Sequence, residues 1–195
     1  MSHAKIRFPS SKSEFFLPKN SSLLLPLYSH SSPILPSPSP NSESLFLSAL
    51  TVKGLTIKLI EGDGNCLFRA VSDQIYGEEG FYGQIRRYCV EYLEIEEEFF
   101  KNYISDDFKE YCKRKRNDGV WGDDIEIQVL SEIYNRSVEI YAYSNEPMRT
   151  FHEGGGEGGR NVIRLSYHGG NHYNSVIRVG RKDENKEIFG VKQIF

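Results

Sequence analysis

The sequence predicts a compact α+β (α/β-like) core, on three observations. Beyond residue 50, strand-like and helix-like periodicities follow one another. The last third holds three consecutive strand-like runs, and no internal repeat is present. Hydrophobic residues make up 38% of the 195 residues and aromatics 13%, enough apolar surface to cover a core and to exclude wholesale disorder.

The elements are expected in this order. LTIKLI, Leu55 to Ile60, places an apolar side chain at every second position, as a half-buried strand does. Cys66 to Tyr76 reads as a helix with Leu67, Ala70, Val71, Gln74 and Ile75 inward and Gly77 as its stop. QIRRYCVEYLEIEEEFFKNYI spaces Ile85, Cys89, Tyr92 or Leu93, Phe99 and Tyr103 helically and predicts two helices split near its acidic run. Another helix is expected from Ser105 as N-cap, with Asp106 and Asp107 in its first turn and Lys113 to Arg116 at its end. That basic run complements the helix dipole, so it needs no nuclear-targeting or nucleic-acid role. DDIEIQVLSEIYN is acid-capped and periodic through Ile125, Val129, Leu130 or Ile133, hence helical, and SVEIYAY, NVIRLSYH and HYNSVIRV read as strands.

Composition divides the chain. Seven of the eight prolines fall within the first 40 residues among many serines, so residues 1–50 are expected to be a disordered tail, 51–180 a folded domain and 181–195 a short extension. The Ser-rich, basic tail shares some features with an organelle transit peptide, but its prolines oppose the amphipathic helix such a peptide needs. A linker or regulatory arm is the preferred reading. Lys and Arg number 24 against 27 Asp and Glu, so no basic excess exists to neutralise nucleic-acid phosphates. No apolar run reaches the ~18–20 residues that cross a bilayer, and a soluble protein is expected. Cys66, Cys89 and Cys112 are odd in number and widely spaced, which fits neither a disulfide framework nor a zinc ribbon and points to a reducing compartment, cytosol or nucleus.

The chemistry concentrates in EGDGNCLFRAVSDQIYG, residues 61–77, where a polar, glycine-rich loop delivers Cys66 onto the start of a helix. Free N–H groups and the positive dipole end favour a thiolate there, and the amides around Gly64 and Asn65 can receive a developing oxyanion. A lone cysteine is more commonly a small core hydrophobe, which is the reading kept for Cys89 and Cys112. A thiol nucleophile needs a base. His172 follows the tight Gly169-Gly170-Asn171 connection and opens a strand, so Asn174 shares its face and its amide oxygen can orient the imidazole. Asp63 is a second candidate orienter or oxyanion-loop residue; its plainer role is to form the turn or cap the helix. His168 reads as a structural strand-end residue. The His168-x3-His172 spacing spans a Gly-Gly turn without further ligands and gives no zinc site. Gly154 to Gly159 satisfies G-x-G-x-x-G but precedes a strand, so it reads as a flexible hairpin loop rather than a dinucleotide site.

DGNCLFRAVSDQIYG, WGDDIEIQVLSEIYN and HYNSV, in that order, resemble the three signature blocks of the OTU (ovarian tumour) cysteine proteases over roughly residues 55–179. CVEYL, FKEYCKRKRND and NRSVEIYAYS are most similar to the deubiquitinating enzyme A branch. The resemblance implies a papain-like fold with a small central sheet flanked by helices, and a thiol isopeptidase that removes ubiquitin, with no metal or cofactor. It implies Cys66 as nucleophile, His172 as general base, Asp63 as the acidic loop residue and Asn174 at the orienting position. Trp121 and Tyr173 become candidates for the wall of a narrow channel that takes a Gly-Gly tail. The implied partners are ubiquitin, polyubiquitin or ubiquitinated proteins, met by a monomer. Two other readings are a ubiquitin-binding module with masked or absent catalysis, and a thiol protease for a ubiquitin-like modifier.

Overall fold

The computed structural model describes residues 40–152 and 162–180. Six helices and five strands follow in the order α1 (Pro40–Val52), β1 (Leu55–Lys58), α2 (Cys66–Tyr76), α3 (Tyr82–Ile95), α4 (Glu97–Phe100), α5 (Phe108–Lys115), α6 (Asp124–Tyr134), β2 (Val138–Tyr141), β3 (Arg149–Phe151), β4 (Ile163–His168) and β5 (His172–Arg178). The strands form one sheet in the order β1-β5-β4-β2-β3; β2 pairs β4 in parallel, and every other pair is antiparallel. This is the mixed α and β architecture expected from the sequence, with one strand more than the four runs predicted.

Strand alternation divides the apolar residues between two faces. Val138, Ile140, Ile163, Leu165 and Tyr173 join Leu67, Phe68, Val71, Ile85, Val90, Leu93, Ile127 and Leu130 in the main core under α2, α3 and α6. On the other face Tyr141 and Val176 meet Leu55 and the helix α1 side chains Phe46 and Leu50. The tail therefore does not run to residue 50. Phe46 and Leu50, one turn apart, bury completely against the sheet, and that local apolar pair outweighs the Ser and Pro content around it. Residues 1–39, the Gly154 to Gly159 loop and the 181–195 extension lie outside the described residues.

Two other expectations shift. Helix α5 is capped by Asp107, not Ser105: the Asp107 carboxylate accepts from the Lys109 and Glu110 N–H groups at 3.0 Å each, which lets Phe108 start the helix and reach the core. Phe99 and Tyr103 are exposed while Phe100 is buried, because the break at Glu96 resets the helical phase.

Helix α2 is fixed to strand β5 by polar contacts two turns below Cys66. Ser175 donates to Asp73 Oδ2 at 2.6 Å, and Asp73 is paired on its other oxygen with Lys58. The Gln74 amide donates to Ser175 Oγ at 2.6 Å and to the Val176 carbonyl at 2.9 Å. These bonds hold the helix that begins at Cys66 in register with the strand that begins at His172.

Candidate active site

Cys66 is the first residue of α2 and only 1% exposed. The Asn65 carbonyl accepts from Arg69 N–H at 2.9 Å, so the Asn65–Cys66 peptide is aligned with the helix and the Cys66 N–H emerges from its N-terminal end. His172 and Asn174 stand at the start of β5, after a hairpin turn in which Gly169 and Gly170 both take positive φ, 57° and 77°. Two glycines allow this turn, whose twist matches that of the flanking strands.

The imidazole has one orientation to offer. Asn174 Oδ1 accepts from the Ile60 backbone N–H at 2.8 Å, and a backbone N–H can only donate, so this amide atom is an oxygen. The same oxygen lies 3.1 Å from His172 Nε2, which therefore carries the hydrogen and leaves Nδ1 with the lone pair. Nδ1 lies on the side of the loop that leads to Cys66: a Cβ built on Gly62 would stand 3.7 Å from His172 Cε1 and 3.8 Å from Nδ1. The Nδ1 side of the His172 ring is thus turned toward the loop that leads to Cys66. Across the hairpin, His168 is the register partner of His172 and bonds Ser166 Oγ at 2.8 Å, the structural role expected for it; burial pushes its pKa down. Among the described residues, no three His, Cys, Asp or Glu side chains are grouped to hold a metal ion.

Asp63 does not orient the histidine. Its Oδ1 accepts from Asn65 N–H at 2.9 Å, and its Oδ2 from Asn65 Nδ2 at 2.9 Å and from Arg69 Nε and Nη2 at 3.0 and 2.7 Å. The Arg69 guanidinium, helped by the Asn65 donors, holds its carboxyl well below the usual carboxylate range. Its work is to shape the loop. A carboxyl whose folded pKa is depressed contributes stability fully present above its unfolded value near ~3.9 and lost as pH falls through the folded value. Urea unfolding is therefore expected to separate wild type from Asp63→Asn by a constant margin between about pH 5 and 7, narrowing below about pH 4.

Asn65 is buried, and both ends of its amide are bonded: beyond Asp63, its Oδ1 accepts from Gly119 N–H at 3.0 Å and from Arg86 Nη2 at 2.6 Å. Its own N–H is already taken by Asp63 Oδ1. Among the described residues the N–H groups of Gly64 and Cys66 meet no acceptor. Gly64 has φ +82°, and a Cβ there would fall 1.9 Å from the Gly119 carbonyl oxygen. Gly64→Ala is expected to cost about 1–3 kcal/mol from backbone strain alone, with more from the clash. Thermal melting and turnover should both fall; an unchanged melt would contradict this packing.

The expected channel residues differ from each other. Tyr173 is 4% exposed and stacks under Trp121, ring centroids 5.6 Å apart, with Tyr167 beside both. It is buried behind the Trp121 ring. Trp121 is half-buried, and the next residue, Gly122, packs so closely on Leu67 and Phe68 that a Cβ would lie 2.7 Å from Leu67 Cδ2. The chain next to the indole thus packs on the first turn of the Cys66 helix. The other thiols are inert packing groups: burial pushes the Cys112 thiol up to about 11 and raises the Cys89 thiol well above its ordinary value.

The sequence reading did not find the groups that hold this site. Lys115, within the basic run, is buried; it donates to Glu126 Oε2 at 2.7 Å and to the Trp121 carbonyl at 3.0 Å. Glu126 also accepts from Tyr111 OH at 2.7 Å and, closing the capping box of α6, from Asp123 N–H at 2.9 Å. Arg86 was legible as a charged residue on the apolar stripe it shares with Val90 and Leu93.

The sequence and the fold are similar to those of known proteins. A family model described as OTU-like cysteine protease matches residues 61–173. The chain is 49% identical over 125 residues to OVARIAN TUMOR DOMAIN-containing deubiquitinating enzyme 6 of Arabidopsis thaliana, covering 64% of this chain and 25% of that protein. It is 45% identical over 139 residues to OTU domain-containing protein 5 of Rattus norvegicus, covering 71% and 24%. The chain thus spans about a quarter of the length of these relatives. Among solved structures, the OTU domain of OTUD1 superposes with a TM-score of 0.63 at 24% identity, covering 70% of this chain and 94% of that one. An OTU deubiquitinase from Wolbachia pipientis wMel bound to ubiquitin gives 0.52 at 19% identity, covering 65% and 98%. At such identities these structures speak for the fold.

Proposed function

Because the chain belongs to the OTU-like cysteine protease family, we propose that it is a deubiquitinase that hydrolyses isopeptide bonds at the ubiquitin C-terminus. The observation that carries the reading is the Asn174 amide oxygen, held by Ile60 N–H and bonded to His172 Nε2, which leaves Nδ1 as base toward the Cys66 loop. Relatives named as deubiquitinating enzymes, and OTU domains solved with ubiquitin bound, support ubiquitin as the modifier.

His172 Nδ1 takes the thiol proton as Cys66 Sγ attacks the terminal glycine carbonyl; a C–S bond forms and the carbonyl π pair moves to oxygen. The Gly64 and Cys66 N–H groups receive that charge. As the oxyanion collapses, the C–N bond breaks, and the lysine amine leaves with the proton from His172. Water, deprotonated by His172, then hydrolyses the thioester. Trp121 would flank the Gly-Gly tail, with Tyr173 behind it. Three unpaired thiols suit a reducing compartment, cytosol or nucleus.

The test is labelling by ubiquitin bearing a C-terminal thiol-reactive group, read by mass on wild type, Cys66→Ala and His172→Ala. A ubiquitin adduct on wild type and none on Cys66→Ala is expected; a folded wild type that forms no adduct would sink the proposal. The burial of Cys66 favours one second reading, a masked site that opens only on a docked partner. Ubiquitin binding without adduct would select it, and competition with purified ubiquitin-like modifiers would show whether another modifier is preferred.

A further inference from the structure

Arg86, on α3, is 3% exposed, yet it carries a guanidinium into a helix face that otherwise buries Ile85, Cys89, Val90 and Leu93. A charge in such a place is costly unless its donors are used. Its hydrogen bonds all go to uncharged oxygens, two of them in the loop before Cys66, while among the described residues its buried Nε meets no acceptor. Nη2 donates to Asn65 Oδ1 at 2.6 Å and, at the long limit of a hydrogen bond, to the Gly64 carbonyl at 3.5 Å. Nη1 donates to the Lys115 carbonyl at 3.0 Å, and the guanidinium lies over the Phe68 ring, 4.1 Å from its centroid.

These contacts act on peptide planes. The Gly64–Asn65 peptide is held at both ends, its carbonyl by Arg86 and its N–H by Asp63 Oδ1. Asn65 Oδ1 joins Arg86 to the Gly119 N–H, so the loop is tied at once to α3 and to the segment against which Gly64 packs. The next peptide is locked to the helix through Arg69 N–H. With these planes fixed, the Cys66 N–H, which belongs to the second of them, keeps one presentation.

We propose that Arg86 is a positioning residue for the oxyanion loop: its guanidinium holds Asn65 and the Gly64 carbonyl so that the Cys66 N–H is preset for the charge formed on the substrate carbonyl. The inference rests on the acyl-transfer reading above. It places a cation directly behind the loop, with no carboxylate among its hydrogen-bond acceptors. Arg86 touches no reacting atom. It should therefore matter for the step that builds an oxyanion and not for ubiquitin docking or for the Cys66–His172 pair.

Two reagents separate these roles. Hydrolysis of a fluorogenic ubiquitin C-terminal amide passes through the oxyanion. Ubiquitin ending in a 2-bromoethylamide instead alkylates Cys66: a C–S bond forms, the C–Br bond breaks, bromide leaves, His172 takes the thiol proton and no oxyanion arises. For Arg86→Met, amide hydrolysis is expected to fall on the order of 10²-fold in kcat with KM little changed. Its alkylation rate should stay within about threefold of wild type, since docking and nucleophile are intact. Arg86→Lys, which keeps the charge but not the planar fork, should fall between, and carries the comparison if Arg86→Met melts below the assay temperature. Parallel loss of both reactions would mean a merely structural residue, and unchanged hydrolysis would also overturn the inference. A wild type that alkylates but does not hydrolyse overturns the acyl-transfer reading, and this inference with it.

Discussion

Cys66→Ala is expected to yield a folded protein that binds ubiquitin and has lost at least ~10⁴-fold in turnover, because no other described group can form the thioester. Cys89 and Cys112 are buried with raised pKa values and cannot substitute for it. His172→Ala should be nearly as severe, and the double variant no worse than the worse single one, since nucleophile and base act as a unit. Asn174→Ala is a graded case. It removes the acceptor that sets the His172 tautomer and leaves the buried Ile60 N–H unpaired, so a turnover loss of about 10²-fold or more should accompany a stability loss of about 1–3 kcal/mol. Steady-state kinetics on a ubiquitin amide, with ubiquitin binding and melting recorded on the same preparations, checks the series. Retained turnover by Cys66→Ala would end the assignment of the nucleophile.

Glu126→Ala should have the largest effect on stability. Glu126 is 0% exposed, and its removal leaves the buried Lys115 ammonium with only the Trp121 carbonyl and the more distant, half-exposed Asp123 carboxylate, and the Tyr111 hydroxyl without its acceptor. Breaking a buried pair from one side costs about 3–5 kcal/mol, and at about 2–4 °C per kcal/mol the melting temperature should fall by roughly 6–20 °C. Burial and Glu126 both raise the Tyr111 pKa far above that of a free phenol, so Tyr111 remains a donor at any working pH and cannot compensate. The same loss should reach the site, since Lys115 also holds the Trp121 carbonyl and Glu126 closes the α6 cap. Lys115→Met with Glu126→Leu should recover much of the stability, because no charge is then left unpaired. A melt of Glu126→Ala within about 2 °C of wild type would contradict a desolvated pair.

Basic residues at the end of α5 illustrate how far a sequence reading extends. Lys113, Arg114 and Lys115 do end a helix, as the dipole argument predicts, but only Lys115 turns inward, toward a carboxylate 11 residues on. Neither residue announces the pairing in sequence. Asp63 shows the converse: its place in a D-G-N-C loop suggested an orienter of the histidine or an oxyanion-loop residue, whereas Arg69 on the following helix turn claims its carboxylate. At α1, two apolar residues one turn apart were the available signal, and the surrounding Ser and Pro composition obscured it.

The sequence by itself determined the order and type of most elements, the cysteine at a helix start, and the histidine and asparagine sharing a strand face. Each of these depends on residues within a turn or a strand pitch of one another, where backbone geometry leaves few choices. Tertiary structure alone decided which polar groups meet in the interior. The Ile60 N–H that fixes Asn174 lies 114 residues away in the chain, and the Arg86 that holds Asn65 lies 21 residues away. A buried donor must find an acceptor wherever the fold brings one, so these partners follow from packing rather than from spacing.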